Sequence, residues 1–147
     1  RDAASVWVDM GSHPLSLVLA ILPGARIEED RLQVCFRGRE AVAEFVLAEG
    51  PRRCECRVTV RDREGGSPMR RFGFDGRSVD CSARPNESGV YVSVLRHGGA
   101  EDVGDDYMLQ LIRQFHHVVA GSEPAPAVPP DVALRNLALQ VRIHQAA

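Results

Sequence analysis

The sequence predicts an α+β fold, in which helices from both ends of the chain cover one face of a mostly antiparallel open sheet of about five or six strands. Between Ala25 and Gly99, apolar and polar residues alternate with a period of two, which is typical of strands with one covered face. Turn residues separate these runs without intervening helices, which favours antiparallel pairing. Before Ala25 and after Tyr107 the apolar residues follow a helical pattern.

The first element is predicted to be a short strand, Val6 to Val8, followed by a helix. Residues 9–14 supply the turn and cap residues that open a helix. Leu15 to Leu22 is almost entirely apolar, and Pro23-Gly24 stops the pattern. The predicted order is therefore strand, turn, helix, turn.

Five runs in the middle of the chain are predicted to be strands, because each alternates in polarity and is bounded by turn residues such as Gly and Pro. They are Arg31–Phe36, Ala41–Ala48, Cys54–Val60, Met69–Phe74 and Val90–His97. Helices on one face leave the other face open. We expect a second copy of the chain to cover it, in a homodimer or a higher homo-oligomer.

The C-terminal part is predicted to form two helices. The first begins at Tyr107 and ends near Gly121, and Asp131 is expected to cap the second. Residues 122–130, which contain four prolines, should run extended between them. The apolar face of the last helix is predicted to contain Leu134, Leu137, Ala138 and Val141.

Composition excludes several classes of protein. With 147 residues and 44% apolar content, the chain is predicted to be one domain, 1–147. A net charge of −2 provides no basic surface for nucleic acid or an anionic membrane. All 18 basic residues are Arg, so a Schiff base with this chain's own lysine is excluded. No apolar run reaches the roughly 20 residues of a membrane span, so a cytoplasmic protein is expected.

The four cysteines, at positions 35, 54, 56 and 81, do not have the spacing of a metal site. No pair has the two-residue gap of a zinc knuckle or a thioredoxin motif. Cys54 and Cys56 alternate along a predicted strand, so both point to one face. This pattern favours reduced structural thiols and predicts no metal ligands.

The strongest candidate for chemistry is the segment Asp9-Met10-Gly11-Ser12-His13, at a predicted strand end before a helix. The positive potential of a helix N-terminus disfavours imidazolium, and a neutral His13 could accept the proton of an alcohol during hydride loss. Asp9 could orient His13 or bind a substrate hydroxyl. The alternative interpretation is that Asp9 and Ser12 cap the helix and His13 is an exposed first-turn residue. His97, His116, His117 and His144 are not predicted to be catalytic.

This segment resembles the Asp-x-Gly-x-His motif of the glucose–fructose oxidoreductase, inositol dehydrogenase and rhizopine-catabolism family (Gfo/Idh/MocA). Residues 107–121, the proline-rich link and residues 131–147 are similar to that family's closing pair of helices. The match in specific residues covers about 5–24 and 107–147. The resemblance implies a C-terminal domain like that of dihydrodipicolinate reductase, with His13 and Asp9 as the catalytic pair and substrate contacts from Ser12 and Ser16.

The resemblance also implies that part of the enzyme is missing from this chain. Family members bind NAD or NADP in an N-terminal Rossmann domain, whose Gly-x-Gly-x-x-Gly fingerprint is absent here. The lysine of the family's Glu-Lys-Pro motif is absent too, and Ser16 stands where many members have an acidic residue. The implied function is the substrate-side domain of an oxidoreductase for a sugar, polyol or related hydroxy compound, with the missing Rossmann domain as partner.

Two alternatives remain open from the sequence. The chain could be a free-standing domain that lost redox activity and serves as a dimeric module for a sugar-like ligand or a protein. It could also be a cofactor-independent lyase, isomerase or cyclase with His13 as its base, since proton abstraction needs no nicotinamide.

Overall fold

The structure, a computed structural model, describes residues 1–65, 70–122 and 129–147. These residues form helices and two antiparallel sheets, which confirms the α+β class. The sequence predicts one domain around one sheet, whereas the structure has two compact units with a four-stranded sheet in each. The first unit is Arg1–Gly65 with Pro130–Ala147, and the second is Gly66–Pro129.

The elements are as follows in chain order. The helices are α1 (Ala3–Met10), α2 (Ser12–Ile21), α3 (Tyr107–Val119) and α4 (Pro130–Gln145). The strands are β1 (Arg26–Ile27), β2 (Gln33–Arg37), β3 (Glu40–Glu49), β4 (Arg52–Arg61), β5 (Arg70–Phe74), β6 (Arg77–Pro85), β7 (Tyr91–His97) and β8 (Ala100–Gly104). A short 3₁₀ turn covers Glu29–Arg31.

Strand β3 is the centre of the first sheet. Its first half pairs with β2 and residues 47–48 pair with β1, while β4 pairs with the whole of β3 in one antiparallel register. Within the described part of the chain, β3 is the only strand that pairs with β4. The predicted strands of this region are confirmed, and the two-residue β1 is an addition to them.

The core of the first unit lies between this sheet and helices α1, α2 and α4. Because side chains alternate across a strand, every second residue of β3 points to the helices. The buried apolar side chains are Ala3, Val6, Trp7, Leu15, Leu19, Leu22, Ala41, Ala43, Phe45, Leu47, Val58, Val60, Leu139 and Ile143. Helices from both ends of the chain therefore cover one face of the sheet, as predicted.

The prediction of a strand at Val6–Val8 is wrong, because these residues lie in α1. Ala3, Val6 and Trp7 recur at helical spacing and are all buried. The Asp2 carboxylate caps the helix by accepting a hydrogen bond from the Ser5 N–H at 2.8 Å. The β-prone run of three residues misled the prediction, since burial of the helical stripe overrides local propensity.

The predicted apolar face of α4 is also wrong. Leu134, Leu137 and Val141 are 66%, 55% and 43% exposed, and Ala138 is exposed as well. The buried stripe instead contains Leu139, Gln140 and Ile143. A polar residue occupies this stripe because its hydrogen bonds are satisfied inside. The helix begins at Pro130, so Asp131 lies in its first turn rather than capping it.

Gln140 joins α4 to α1 through three hydrogen bonds. Its side-chain amide donates to the carbonyl oxygens of Trp7 and Val8, at 2.8 and 2.9 Å. The Trp7 indole N–H donates in return to the Gln140 carbonyl at 3.0 Å. These bonds connect residues 133 positions apart in the chain.

The substitution Gln140→Leu tests this connection. Leucine fills the volume but donates nothing, so we expect the free energy of unfolding to fall by about 1–3 kcal/mol. Urea denaturation followed by circular dichroism measures the change. Gln145→Leu, at the exposed end of the same helix, is the matched control and should have little effect. Equal stability of the Gln140 variant and the unmodified chain would contradict the prediction.

The second unit is a four-stranded meander, β5 to β8, followed by α3. The hairpin loops Asp75-Gly76 and Gly98-Gly99 have positive φ at both residues, as two-residue type I′ turns require. Strands β6 and β8 were not predicted, although Asp75-Gly76 is a hairpin signal in the sequence. Met69 and the extended link at 123–128 lie outside the described residues.

Helix α3 is confirmed, with Asp106 accepting hydrogen bonds from the backbone N–H groups of Met108 and Leu109. Among the side chains that the structure describes between residues 70 and 122, Val94 is the only fully buried apolar one. The predicted apolar stripe of α3 is largely exposed, with Ile112 at 60% and Phe115 at 67%. The second unit therefore has little core of its own.

Within the described ranges, no single helix is long and apolar enough to span a bilayer. Taken together, α1 and α2 have sufficient length and apolar content, but they are bent by 50° relative to each other.

Candidate functional site

The candidate segment lies at the bend between α1 and α2, where Gly11 joins the two helices. Gly11 itself has helical backbone angles, φ −63° and ψ −30°, and its N–H donates to the Trp7 carbonyl at 2.8 Å. A Cβ atom at this position would lie 3.0 Å from the indole ring of Trp7. The chain therefore turns by a helix bend packed on Trp7, not by the predicted strand end.

His13 lies in the first turn of α2, and its side chain is exposed. The Ser16 hydroxyl donates to the His13 carbonyl oxygen at 2.6 Å, so this hydroxyl is engaged within the helix. Among the described residues, no side chain forms a hydrogen bond with the His13 ring. The imidazole is therefore available to a molecule outside the chain.

Asp9 lies in the last turn of α1, and not at a strand end as predicted. Its carboxylate forms an exposed ion pair with Arg1. In the described part of the structure it makes no hydrogen bond to His13. The structure thus places both predicted residues beside the same bend but does not join them as a pair.

The first turn of α2 is tied to α4 by a residue that the sequence analysis missed. The Asn136 side-chain amide donates to the Ser12 carbonyl at 3.0 Å, and Arg135 donates to the Pro23 carbonyl at the end of α2. The Oδ1 atom of Asn136 is buried and has no hydrogen-bond partner within the described residues. In the sequence, the signal for this contact is that two amide side chains, Asn136 and Gln140, lie four residues apart and therefore on the same face of the helix.

This arrangement offers the imidazole of His13 as an accessible acid or base, on a turn whose backbone is hydrogen-bonded to α4. The described residues contain no group of three or more His, Cys, Asp or Glu side chains that could hold a metal ion. Ser12 and Ser16 lie near His13 at the start of α2. The Ser12 side chain is half-buried and the Ser16 side chain is exposed. Their predicted substrate contacts stay predictions.

The other histidines lie elsewhere. His116 and His117 are exposed at the end of α3, and His97 in the second sheet approaches Asp102 at 3.0 Å. His144 is exposed near the C-terminus, with its ring 6.1 Å from that of Phe36. None of these shares the bend with His13 in sequence or in secondary structure.

Several surface arginines form ion pairs with acidic side chains. Arg52 bonds to Glu49, Arg53 to Glu28, and Arg71 to Asp80. The Arg142 guanidinium holds the pKa of the Glu29 carboxyl below its usual value by a side-chain hydrogen bond. A hydrogen bond from Arg39 lowers the pKa of Asp62 in the same way.

These lowered pKa values predict a loss of stability in acid. A carboxyl group whose pKa is lower in the folded chain stabilises it above the unfolded pKa, and this contribution is lost as the pH falls through the folded pKa. For Glu29 the unfolded value is 4.5, so the melting temperature should fall below about pH 4.5. Arg142→Gln should lower the melting temperature slightly at pH 7 and not at pH 2.5, as measured by scanning calorimetry. A deficit that is the same at both pH values would contradict this origin.

The outer face of the first sheet carries charge pairs. Glu44 pairs with Arg57 at 3.0 Å, and Arg31 approaches Glu55 at 3.8 Å. A depression of about 350 Å³ lies beside these pairs and is lined by Arg31, Gln33, Glu44, Phe45, Val46, Glu55, Cys56 and Arg57. Neither His13 nor Asp9 contributes to this depression. The open face of the sheet thus carries charged side chains from β3 and β4.

Comparison with family models, with curated proteins and with solved structures finds no match for the chain.

Proposed function

We propose that the chain is the substrate-side domain of an NAD(P)-dependent oxidoreductase that acts on a sugar, polyol or related hydroxy compound in the cytoplasm. His13 acts as the base that takes the hydroxyl proton while the alcohol carbon loses hydride to a nicotinamide. NAD or NADP is held by a Rossmann domain outside this chain. Asp9, Ser12 and Ser16 bind or orient the substrate hydroxyls.

The observation that carries this proposal is the exposed imidazole of His13, in a first helical turn whose backbone is hydrogen-bonded to α4. A general base must be reachable by substrate and must keep its position during proton transfer. Exposure meets the first requirement, and the bond from Asn136 to the Ser12 carbonyl supports the second. Of the elements that carry the family resemblance, α1, α2 and α4 pack together in the first unit, whereas α3 belongs to the second unit.

Calorimetric titration with NADH and NADPH tests the proposal, on this chain and on the full-length gene product. We expect binding by the longer product and none by residues 1–147 alone. Absence of binding by both would overturn the oxidoreductase proposal. Binding by the isolated chain would overturn the assignment of the cofactor site to another domain.

A second candidate function is a self-associating binding module, and the exposed apolar residues of the second unit favour it. Phe74, Tyr91 and Val103 of the sheet are 59%, 61% and 54% exposed, and α3 exposes Ile112 and Phe115. Exposure of this many large apolar side chains in one unit is typical of a protein that associates with another molecule. Sedimentation equilibrium of the unmodified chain and of Phe115→Ser tests this candidate. We expect the unmodified chain to form a dimer or a larger oligomer and Phe115→Ser to shift this equilibrium toward the monomer. An unmodified chain that stays monomeric at the highest concentration measured would exclude the self-associating module.

A further inference from the structure

We propose that Cys54 and Cys56 form a two-sulfur binding site for a thiophilic ion on strand β4, separate from the bend that carries His13. Both residues are reduced and partly exposed. Their Sγ atoms lie 3.8 Å apart on the helix-facing side of the sheet, opposite Leu47 and Phe45 of β3. No other pair of thiols approaches this closely among the residues that the structure describes.

The distance between the sulfur atoms fits chelation. Two sulfurs each about 2.3 Å from a zinc-sized ion and 3.8 Å apart subtend about 111°, which is close to the tetrahedral angle. The same separation is near van der Waals contact for two thiols. The strand therefore presents both sulfur atoms at a separation that fits chelation.

The partial exposure of both side chains gives access to the pair. In the described part of the chain, β4 pairs with β3 alone, so its other side has no neighbouring strand. Thiolates are the ligands that select soft ions such as Cu(I) and Zn²⁺, in preference to oxygen-seeking ions such as Mg²⁺. A soft ion is therefore the chemistry that these two residues would recognise.

Burial changes the acidity of the Cys56 thiol. Desolvation, with the neighbouring Cys54 thiol, raises the pKa of Cys56 to about 12. Cys56 is therefore protonated and a poor nucleophile at neutral pH. A thiophilic ion displaces the thiol protons as it binds.

The first test uses phenylarsine oxide on the unmodified chain. Two S–As bonds form, the two thiol protons leave with the arsenoxide oxygen as water, and arsenic stays trivalent. We expect one adduct per chain by intact mass, with two of the four thiols lost to a thiol titration under denaturing conditions. An unmodified mass, or loss of no thiol, would overturn the proposal.

The second test uses Cd²⁺, whose bond to thiolate gives a charge-transfer absorption in the ultraviolet. We expect one equivalent to saturate this absorption in the unmodified chain and in the double variant Cys35→Ser/Cys81→Ser. Cys54→Ser and Cys56→Ser should each reduce the absorption at one equivalent by at least tenfold. Equal absorption in these two variants and in the unmodified chain would contradict the assignment, and circular dichroism verifies that each variant is folded.

Discussion

Replacing Trp7 by alanine is expected to produce the largest loss of stability of any single substitution considered. The side chain is fully buried, and its ring lies 5.7 Å from that of Phe36. Truncating a buried Trp to Ala costs about 3–5 kcal/mol, since contacts are lost and a cavity remains. The Gln140 carbonyl would also lose the indole N–H that it accepts. A domain of this size is stable by only about 5–15 kcal/mol, so a large fraction would be lost.

Urea denaturation measures this loss, with circular dichroism as the signal. Trp7 is the only tryptophan in the chain, so tryptophan fluorescence cannot be used to follow the unfolding of the variant. Val8→Ala is the matched control, because Val8 is the next residue of the same helix and is 62% exposed. We expect its effect to stay within about 0.5 kcal/mol. Similar losses for the two variants would contradict the placement of Trp7 in the core.

Replacing His13 by alanine is expected to have the largest effect on activity. If His13 is the base, the rate of turnover should fall by about 10²- to 10⁴-fold, which is the usual contribution of a positioned proton acceptor. The measurement uses the full-length gene product with NAD or NADP and a panel of sugars and polyols. Because the side chain is exposed, the melting temperature should not change.

His116→Ala is the control for this experiment, since His116 is also exposed but lies on α3 in the second unit. It should retain full turnover. Turnover that is the same in the His13 variant as in the unmodified enzyme would exclude His13 as the base. That result would also exclude the lyase, isomerase and cyclase alternatives that use the same histidine.

Local patterns predicted the strands of the first sheet and the helix at Tyr107 well. In β3 the buried side chains of Ala41, Ala43, Phe45 and Leu47 alternate with partly exposed residues, except that Val46 is buried as well. Strand β6 was missed although Val79, Cys81 and Ala83 alternate with Asp80, Ser82 and Arg84, because its apolar side chains are few and none is fully buried. The short β8 was missed because all five of its residues are exposed.

The candidate site was predicted only in part. The place of His13 in the first turn of a helix is confirmed, since Pro14 and the apolar run after it indicate the helix. Its catalytic role stays a prediction. Asp9 was placed at the end of a strand because Val6-Trp7-Val8 has strand propensity. Asn136, which supports the Ser12 carbonyl from 124 residues away, had no local signal that pointed to this partner.

By itself, the sequence determined the α+β class, the antiparallel pairing, the absence of lysine and the place of His13 at the start of a helix. These features depend on residue identity or on short-range periodicity. The tertiary structure alone decided that residues 6–8 are helical, that α4 buries Gln140 in place of its leucine stripe, and that the strands divide between two sheets. The physical reason is that burial and hydrogen bonding depend on partners distant in the chain, such as Trp7 and Gln140, and these partners override local propensity.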